Sequence, residues 1–272
     1  MIITDNHIFV HIPKTGGKSV TEFIDQNKEC LSSRSDNFII KIREPEQGYP
    51  LSAKLNYCSH IPVRWVSRYD MEHTYKVKFC TIRNPWDWYI SYYFYSNVNH
   101  KTFWNGSADN LGLHRPSIQK ESVQKFNQWV RNLLNHKYYG HTVKADDDYA
   151  IIRRIKHMKK FDIGLYTQVF LDYCLVLDLD DIQKDDLNQS LIDSRLGINK
   201  VCKIEALKND LLDIFKKSKI ELQNEDIPHI QKTDRPYPFN FLKSRYDFYE
   251  EETKNLIYEK DNLFVEKYGY QF

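Results

Sequence analysis

Ile8-Phe9-Val10-His11-Ile12-Pro13-Lys14-Thr15-Gly16-Gly17-Lys18-Ser19-Val20 is the stretch that decides how this chain is read. It opens with apolar β-branched and aromatic residues, which predicts a buried strand. Two glycines then permit a tight turn and a close approach of backbone to a ligand. A helix is expected from Lys18 to about Gln26. The unpaired N–H groups at its start, together with its dipole, favour negative charge in the turn. Lys14 and Lys18 add formal positive charge, and Thr15 and Ser19 add hydroxyl donors. The segment predicts a cradle for a phosphate or a sulfate.

Gly17-Lys18-Ser19 coincides with the second half of a Walker A loop. The first glycine of that pattern would fall on Ile12, so the wide loop that wraps a triphosphate is not specified. The stretch instead resembles the 5′-phosphosulfate loop of sulfotransferases that use 3′-phosphoadenosine 5′-phosphosulfate (PAPS). In the carbohydrate-modifying branch that loop commonly reads His-Ile-Pro-Lys-Thr-Gly-Gly-Thr-Ser, and only Lys18 departs from it. The resemblance implies a cofactor contact from Lys14, Thr15, Gly16, Gly17, Lys18 and Ser19.

Further along, Tyr75 to Ile82 reads as a strand that runs into Arg83-Asn84-Pro85, with a helix from Trp86 through Tyr95. Pro85 suits a first helical turn, where no N–H is needed. Arg83 and Ser91 could close on one phosphate, the first with a guanidinium fork and the second with a hydroxyl. Arg83, Asn84, Pro85, Asp87, Ser91 and Tyr93 are similar to the 3′-phosphate motif of the same enzymes. The family usually has Arg where this chain has Trp88. Near the other end, Asp226-Ile227-Pro228-His229-Ile230-Gln231-Lys232-Thr233-Asp234-Arg235 resembles the loop that closes over the cofactor, which implicates Gln231, Thr233 and Arg235. Tyr246 to Tyr268 reads as a closing helical region typical of such enzymes.

The expected architecture is α/β: a P-loop-like three-layer fold with a central, mostly parallel sheet flanked by helices, in a single domain over residues 1–272. Strands are expected near Ile8, Phe38 to Ile42, Leu55 to Ser59, Val77 to Ile82 and Val201 to Ile204. Helices are expected over Glu121 to Asn135, with Val123, Phe126, Val130, Leu133 and Leu134 on one stripe, and over Tyr149 to Lys159, capped by the acidic run Asp146-Asp147-Asp148. Asn97 to Ser117 reads as an exposed loop. Cys174 to Asp178 reads as a short strand of structural origin, although apolar residues before an Asp also resemble a Walker B segment.

Composition narrows the class further. Hydrophobic residues at 41% and aromatics at 14% support a packed core. A net charge of +2 is too balanced for a general nucleic-acid binder. The five cysteines, Cys30, Cys58, Cys80, Cys174 and Cys202, lack Cys-x-x-Cys spacing and read as buried thiols in a reducing compartment. No apolar run approaches the ~20 residues that span a bilayer, and no signal peptide opens the chain. Golgi members of the family carry a membrane anchor, so a cytoplasmic protein of a microbe or virus is expected.

The resemblance implies metal-independent transfer of a sulfuryl group from PAPS to a hydroxyl of an acceptor, a saccharide by family analogy, leaving 3′-phosphoadenosine 5′-phosphate (PAP). Positioning and charge stabilisation dominate such chemistry. Lys14 is the candidate for stabilising the departing oxygen. Lys18 either shares that contact or faces water. His60, after the expected strand Leu55 to Ser59, is the candidate general base, in a segment comparable to the one that carries the catalytic His of heparan sulfate 2-O-sulfotransferase-like enzymes. Glu44, Glu46 and His73 are fallback bases, and His11 is expected to order the loop. The aromatics Trp86, Trp88, Tyr89, Tyr92, Tyr93 and Phe94 are expected mostly in the core. Lys41, Arg43, Arg64 and Arg68 read as a solvated basic face, with acceptor binding as the sharper alternative. Two rival functions remain open: a nucleotide or small-molecule kinase, and a non-catalytic anion binder.

Overall fold

The computed structural model describes residues 1–31, 62–64, 75–99, 120–136, 149–228 and 245–272. The strands are β1 (Ile2–Ile3), β2 (His7–Val10), β3 (Val77–Ile82) and β4 (Lys200–Lys203). The α-helices through the first half are α1 (Gly17–Gln26), α2 (Lys28–Leu31), α3 (Pro85–Asn99), α4 (Lys120–Leu134) and α5 (Tyr149–Phe161). Those of the second half are α6 (Leu165–Cys174), α7 (Gln189–Arg195), α8 (Leu207–Lys217), α9 (Glu251–Lys260) and α10 (Asn262–Tyr268). The chain is α/β, and its described residues form a four-stranded sheet in the order β1-β2-β3-β4. Strands β2, β3 and β4 run parallel, with Phe9 opposite Phe79 and Cys80 opposite Val201, while β1 pairs antiparallel with β2.

Two compact units make up the chain. The first comprises Met1–Arg83, Asp172–Asp178 and Arg195–Gln231, and contains the sheet. Phe9 and Phe79 on the sheet and Val20, Phe23 and Ile24 on α1 meet Leu211, Ile214 and Phe215 of α8 in one apolar cluster. The spacing explains both helices: α1 buries Val20, Phe23 and Ile24 and exposes Thr21, Glu22 and Asp25. Each large apolar side chain buried here contributes roughly 1.5–3 kcal/mol before the entropy of ordering is counted. Parallel neighbours need long crossover connections, and β3 and β4 are joined by more than a hundred residues, most of them in the second unit.

The second unit comprises Asn84–Leu171, Leu179–Ser194 and Lys232–Phe272. Asn84 caps α3 by accepting from the Trp86 N–H through Oδ1 at 3.1 Å, and Pro85 takes the first helical position. Trp88 stacks on Tyr92 and on Tyr166 with ring centroids 4.7 Å apart in each case. On α4, Phe126, Val130, Leu133 and Leu134 are buried as their spacing predicts, and Val123 is half-buried. Asn127 on the same helix donates to Phe248 O at 2.7 Å and accepts from Glu250 N at 2.9 Å, which anchors the approach to α9. Helices α9 and α10 form the closing helical region, ended by Gly269 with φ of 61°.

Two local expectations are corrected. Cys174 to Asp178 is no strand: Cys174 ends α6, and Leu175 makes an isolated antiparallel bridge with Leu196. Only Cys174 of that run is helical, and an apolar run this short carries too little periodicity to separate a strand from a helix end and the turn after it. Asn97 to Asn99 belong to α3 instead of to a loop, because no Pro or Gly falls between Pro85 and Asn99 to interrupt the helix. The expected strands Phe38 to Ile42 and Leu55 to Ser59, the cap Asp146-Asp147-Asp148 and the rest of the loop to Ser117 lie outside the described residues.

Candidate functional site

The loop between β2 and α1 is built as its composition predicts. Strand β2 is wholly buried, and Ile12 behind it is fully buried too. The backbone then turns through two left-handed residues, Lys14 with φ of 67° and Gly16 with φ of 81°. Gly16 pays no steric cost there, but Lys14 does, by roughly 1–2 kcal/mol. Thr15 holds the strained turn: its hydroxyl donates to Ile12 O at 2.8 Å and lies 3.0 Å from the Thr81 hydroxyl on β3. The Thr15 side chain is fully buried, so its hydroxyl closes the loop from within and is not the ligand donor expected from the sequence.

Gly16 is the N-cap of α1, without a side-chain cap. The Ser19 and Val20 N–H groups close on Gly16 O at 2.9 and 3.4 Å, so the Gly17 and Lys18 amides precede the first intrahelical bonds. No acidic residue occupies the first turn of α1, which leaves the helix dipole unopposed at this end. Lys14 is half-buried, Lys18 is exposed and Ser19 is half-buried. The two glycines are demanded by their neighbours. A Cβ on Gly16 would come 2.7 Å from Ile204 Cδ1, just past β4, and a Cβ on Gly17 would collide with the His11 ring. His11 is stacked on Phe9 with centroids 5.7 Å apart, so it borders the loop as expected.

Arg83 directly follows β3. Because β2, β3 and β4 are parallel and in register, the loop, Arg83 and Ile204 all leave the same edge of the sheet, at the carboxyl ends of its strands. That edge is where open α/β sheets bind ligands. The rest of the Arg83 to Tyr93 stretch, from Asn84 on, belongs to the other unit. There Asn84 caps α3 and donates to Gln271 O at 2.8 Å, and Asp87, Tyr93 and Ser91 are buried. His60, Gln231, Thr233 and Arg235 lie outside the described residues, as do Lys41, Arg43, Glu44, Glu46, Arg68 and His73.

Arg64 belongs to neither a solvated face nor an acceptor site. It is buried, its guanidinium donating to Asp172 O and to Asp172 Oδ1 at 3.0 Å, with Asp178 Oδ2 at 3.5 Å. Asp178, the acid of the Walker B-like run, is therefore part of a structural ion pair. Trp86, Trp88, Tyr89, Tyr92 and Tyr93 are all buried, the core role expected of them. In the second unit, Asp180 receives Lys156 at 2.8 Å, His157 at 3.1 Å and Arg153 at 3.3 Å. Burial pushes its pKa up, but those three partners outweigh burial and lower it, which is an ion-pair network more than a cation site. Cys30, Cys80, Cys174 and Cys202 are free thiols, and the latter three are buried. Sequence reasoning missed Thr81 and Ile204, because nothing in a strand's composition says which loop its far end will touch.

No protein-family model, curated protein or solved structure matches the chain. The functional reading therefore rests on the residues themselves. Among the described residues, no helix is long and apolar enough to cross a membrane.

Proposed function

We propose that this chain is a PAPS-dependent sulfotransferase that transfers the sulfuryl group to a hydroxyl of an acceptor, a carbohydrate by family resemblance. The observation that carries the reading is the turn between β2 and α1, where Lys14 and the leading amides of α1 stand at the carboxyl edge of a parallel sheet. Arg83 leaves the same edge from the adjacent strand, which suits a ligand with phosphates at both ends. The three-layer, P-loop-like arrangement belongs to the same proposal. So does a cytoplasmic location, for which the free thiols argue.

In this reading the loop amides, Lys18 and Ser19 hold the 5′-phosphosulfate and Arg83 is the candidate for the 3′-phosphate, with Ser91 implicated by the motif resemblance alone. Gln231, Thr233 and Arg235 close over the cofactor. The acceptor oxygen attacks sulfur in line, the bond from sulfur to the bridging phosphate oxygen breaks, and PAP leaves. Lys14 neutralises the charge that develops on the bridging oxygen. His60 takes the acceptor proton.

Calorimetric titration tests the reading with three ligands: PAP, AMP (which lacks the 3′-phosphate) and ATP with Mg²⁺. Tight PAP binding with weak AMP binding is the expected outcome. Binding of ATP that requires Mg²⁺, with PAP ignored, would favour the kinase that Gly17-Lys18-Ser19 also suggests. PAP binding without sulfation of any hydroxyl acceptor would leave a non-catalytic binder.

A further inference from the structure

Proton counting orders the hydrogen bonds beneath the loop. A hydroxyl carries one proton, and a carbonyl oxygen only accepts. Thr15 Oγ1 donates to Ile12 O at 2.8 Å, so the 3.0 Å contact between Thr15 and Thr81 has Thr81 as its donor. The bonds run in one direction, from Thr81 to Thr15 to Ile12, and bracket Pro13 and Lys14 within the turn. Chains of this kind reinforce each other in a buried, low-dielectric setting. Both threonines are fully buried, so no water competes for either hydroxyl. Lys14, inside the bracket, is held in the left-handed region that an L side chain rarely adopts.

We infer that Thr81 is a positioning residue: the hydrogen bond its hydroxyl donates to Thr15, which in turn donates to Ile12 O, fixes the left-handed backbone at Lys14 and so the aim of the Lys14 ammonium at the ligand. Thr81 touches no ligand itself. The consequence for turnover rests on the sulfotransferase reading above; the consequence for loop geometry does not. A strand residue two positions before Arg83 thus sets the conformation of a loop more than sixty residues earlier in the chain.

Two substitutions separate the proton from the packing. Thr81→Val keeps the shape and removes the proton; Thr81→Ser keeps the proton and removes a methyl group. The amide spectrum of [¹⁵N]glycine-labelled protein reads the loop directly, since the chain has only nine glycines. In Thr81→Val the Gly16 and Gly17 resonances are expected to move while Gly164 and Gly269 stay, and in Thr81→Ser all four stay near their original positions. PAP affinity and kcat are each expected to fall about tenfold in Thr81→Val, equivalent to about 1.4 kcal/mol, and to stay within about twofold in Thr81→Ser. KM for the acceptor is expected to stay unchanged in both. Unmoved Gly16 and Gly17 resonances in Thr81→Val would overturn the inference, whether or not the protein binds PAP. So would a Thr81→Ser variant that is damaged while Thr81→Val is not, since the methyl group would then be what matters. Failure of the unaltered protein to bind PAP would instead sink the functional reading, with the glycine spectra still deciding the role of Thr81.

Discussion

The His11 imidazole occupies the space that a side chain on Gly17 would need. The second glycine of the loop is thus required by a ring three residues past Ile8, whatever the loop binds. Gly17→Ala is expected to cost about 1–3 kcal/mol through overpacking and to weaken PAP binding by about tenfold or more. The double variant His11→Ala with Gly17→Ala should recover much of the lost stability. Thermal unfolding of the four members of that cycle measures the coupling, and purely additive losses would refute the steric account.

Lys14 combines a charge with a left-handed backbone. Lys14→Ala and Lys14→Gly both remove the ammonium, so both are expected to lose most of the turnover. Only glycine also relieves the strain. Lys14→Gly should therefore unfold at higher urea than Lys14→Ala, by about 1 kcal/mol. Equal stabilities would show that the turn is not strained at this residue.

Arg83 stands at the end of β3, beside the loop's edge of the sheet. Arg83→Ala is expected to weaken PAP by about tenfold or more while leaving the weaker AMP affinity nearly unchanged, because only PAP has the 3′-phosphate. Titration of the variant with both ligands checks this. An equal loss for both would move the 3′-phosphate contact elsewhere.

Arg64 is buried against Asp172 and Asp178. Removing one partner of a buried pair strands the other's charge, so Arg64→Ala is expected to destabilise by about 3–5 kcal/mol, as read by urea unfolding. PAP affinity of the folded variant should hold. Selective loss of acceptor binding with stability intact would restore Arg64 to the substrate site.

Asp261 in the second unit accepts from Tyr89 OH at 2.8 Å and from Thr167 N at 2.7 Å. Burial pushes its pKa up to about 6 from 3.8, against the opposing hydrogen bonds from Thr167 and Tyr89. Between those two values the folded state binds more protons than the unfolded state. The contribution of this group to stability is thus full at the acid end, falls as pH rises and is lost by about pH 6, a change of about 3 kcal/mol. Asp261→Asn removes that slope. The stability of the parent protein relative to the variant should therefore fall by this amount between about pH 4 and pH 7. A difference that is flat with pH would show an ordinary carboxyl at position 261.

Much of the frame was legible because it depends on neighbours in sequence. The β2–turn–α1 segment, β3 at Val77 to Ile82, the stripe on α4 and the closing helices all follow from local periodicity, glycine placement and helix caps. Helix α6 was not legible, since complete burial erases the pattern on which a helix is recognised. Trp88 shows the same boundary at one residue. Its chemistry predicts core, but only the structure shows which rings enclose it, Tyr92 and Tyr166.

By itself, the sequence determined the lysine-bearing glycine turn from Lys14 to Ser19 and the strand that delivers Arg83, because charge, glycine freedom and β-propensity act over a few residues. Only the tertiary structure decided that Thr15 turns inward to Ile12 and Thr81, that Arg64 is an internal ion pair, and that Ile204 and His11 forbid side chains at Gly16 and Gly17. Those outcomes depend on which buried groups meet across the fold. A buried hydroxyl or guanidinium must find its partner wherever packing places one, and that partner is set by strand register instead of by distance along the chain.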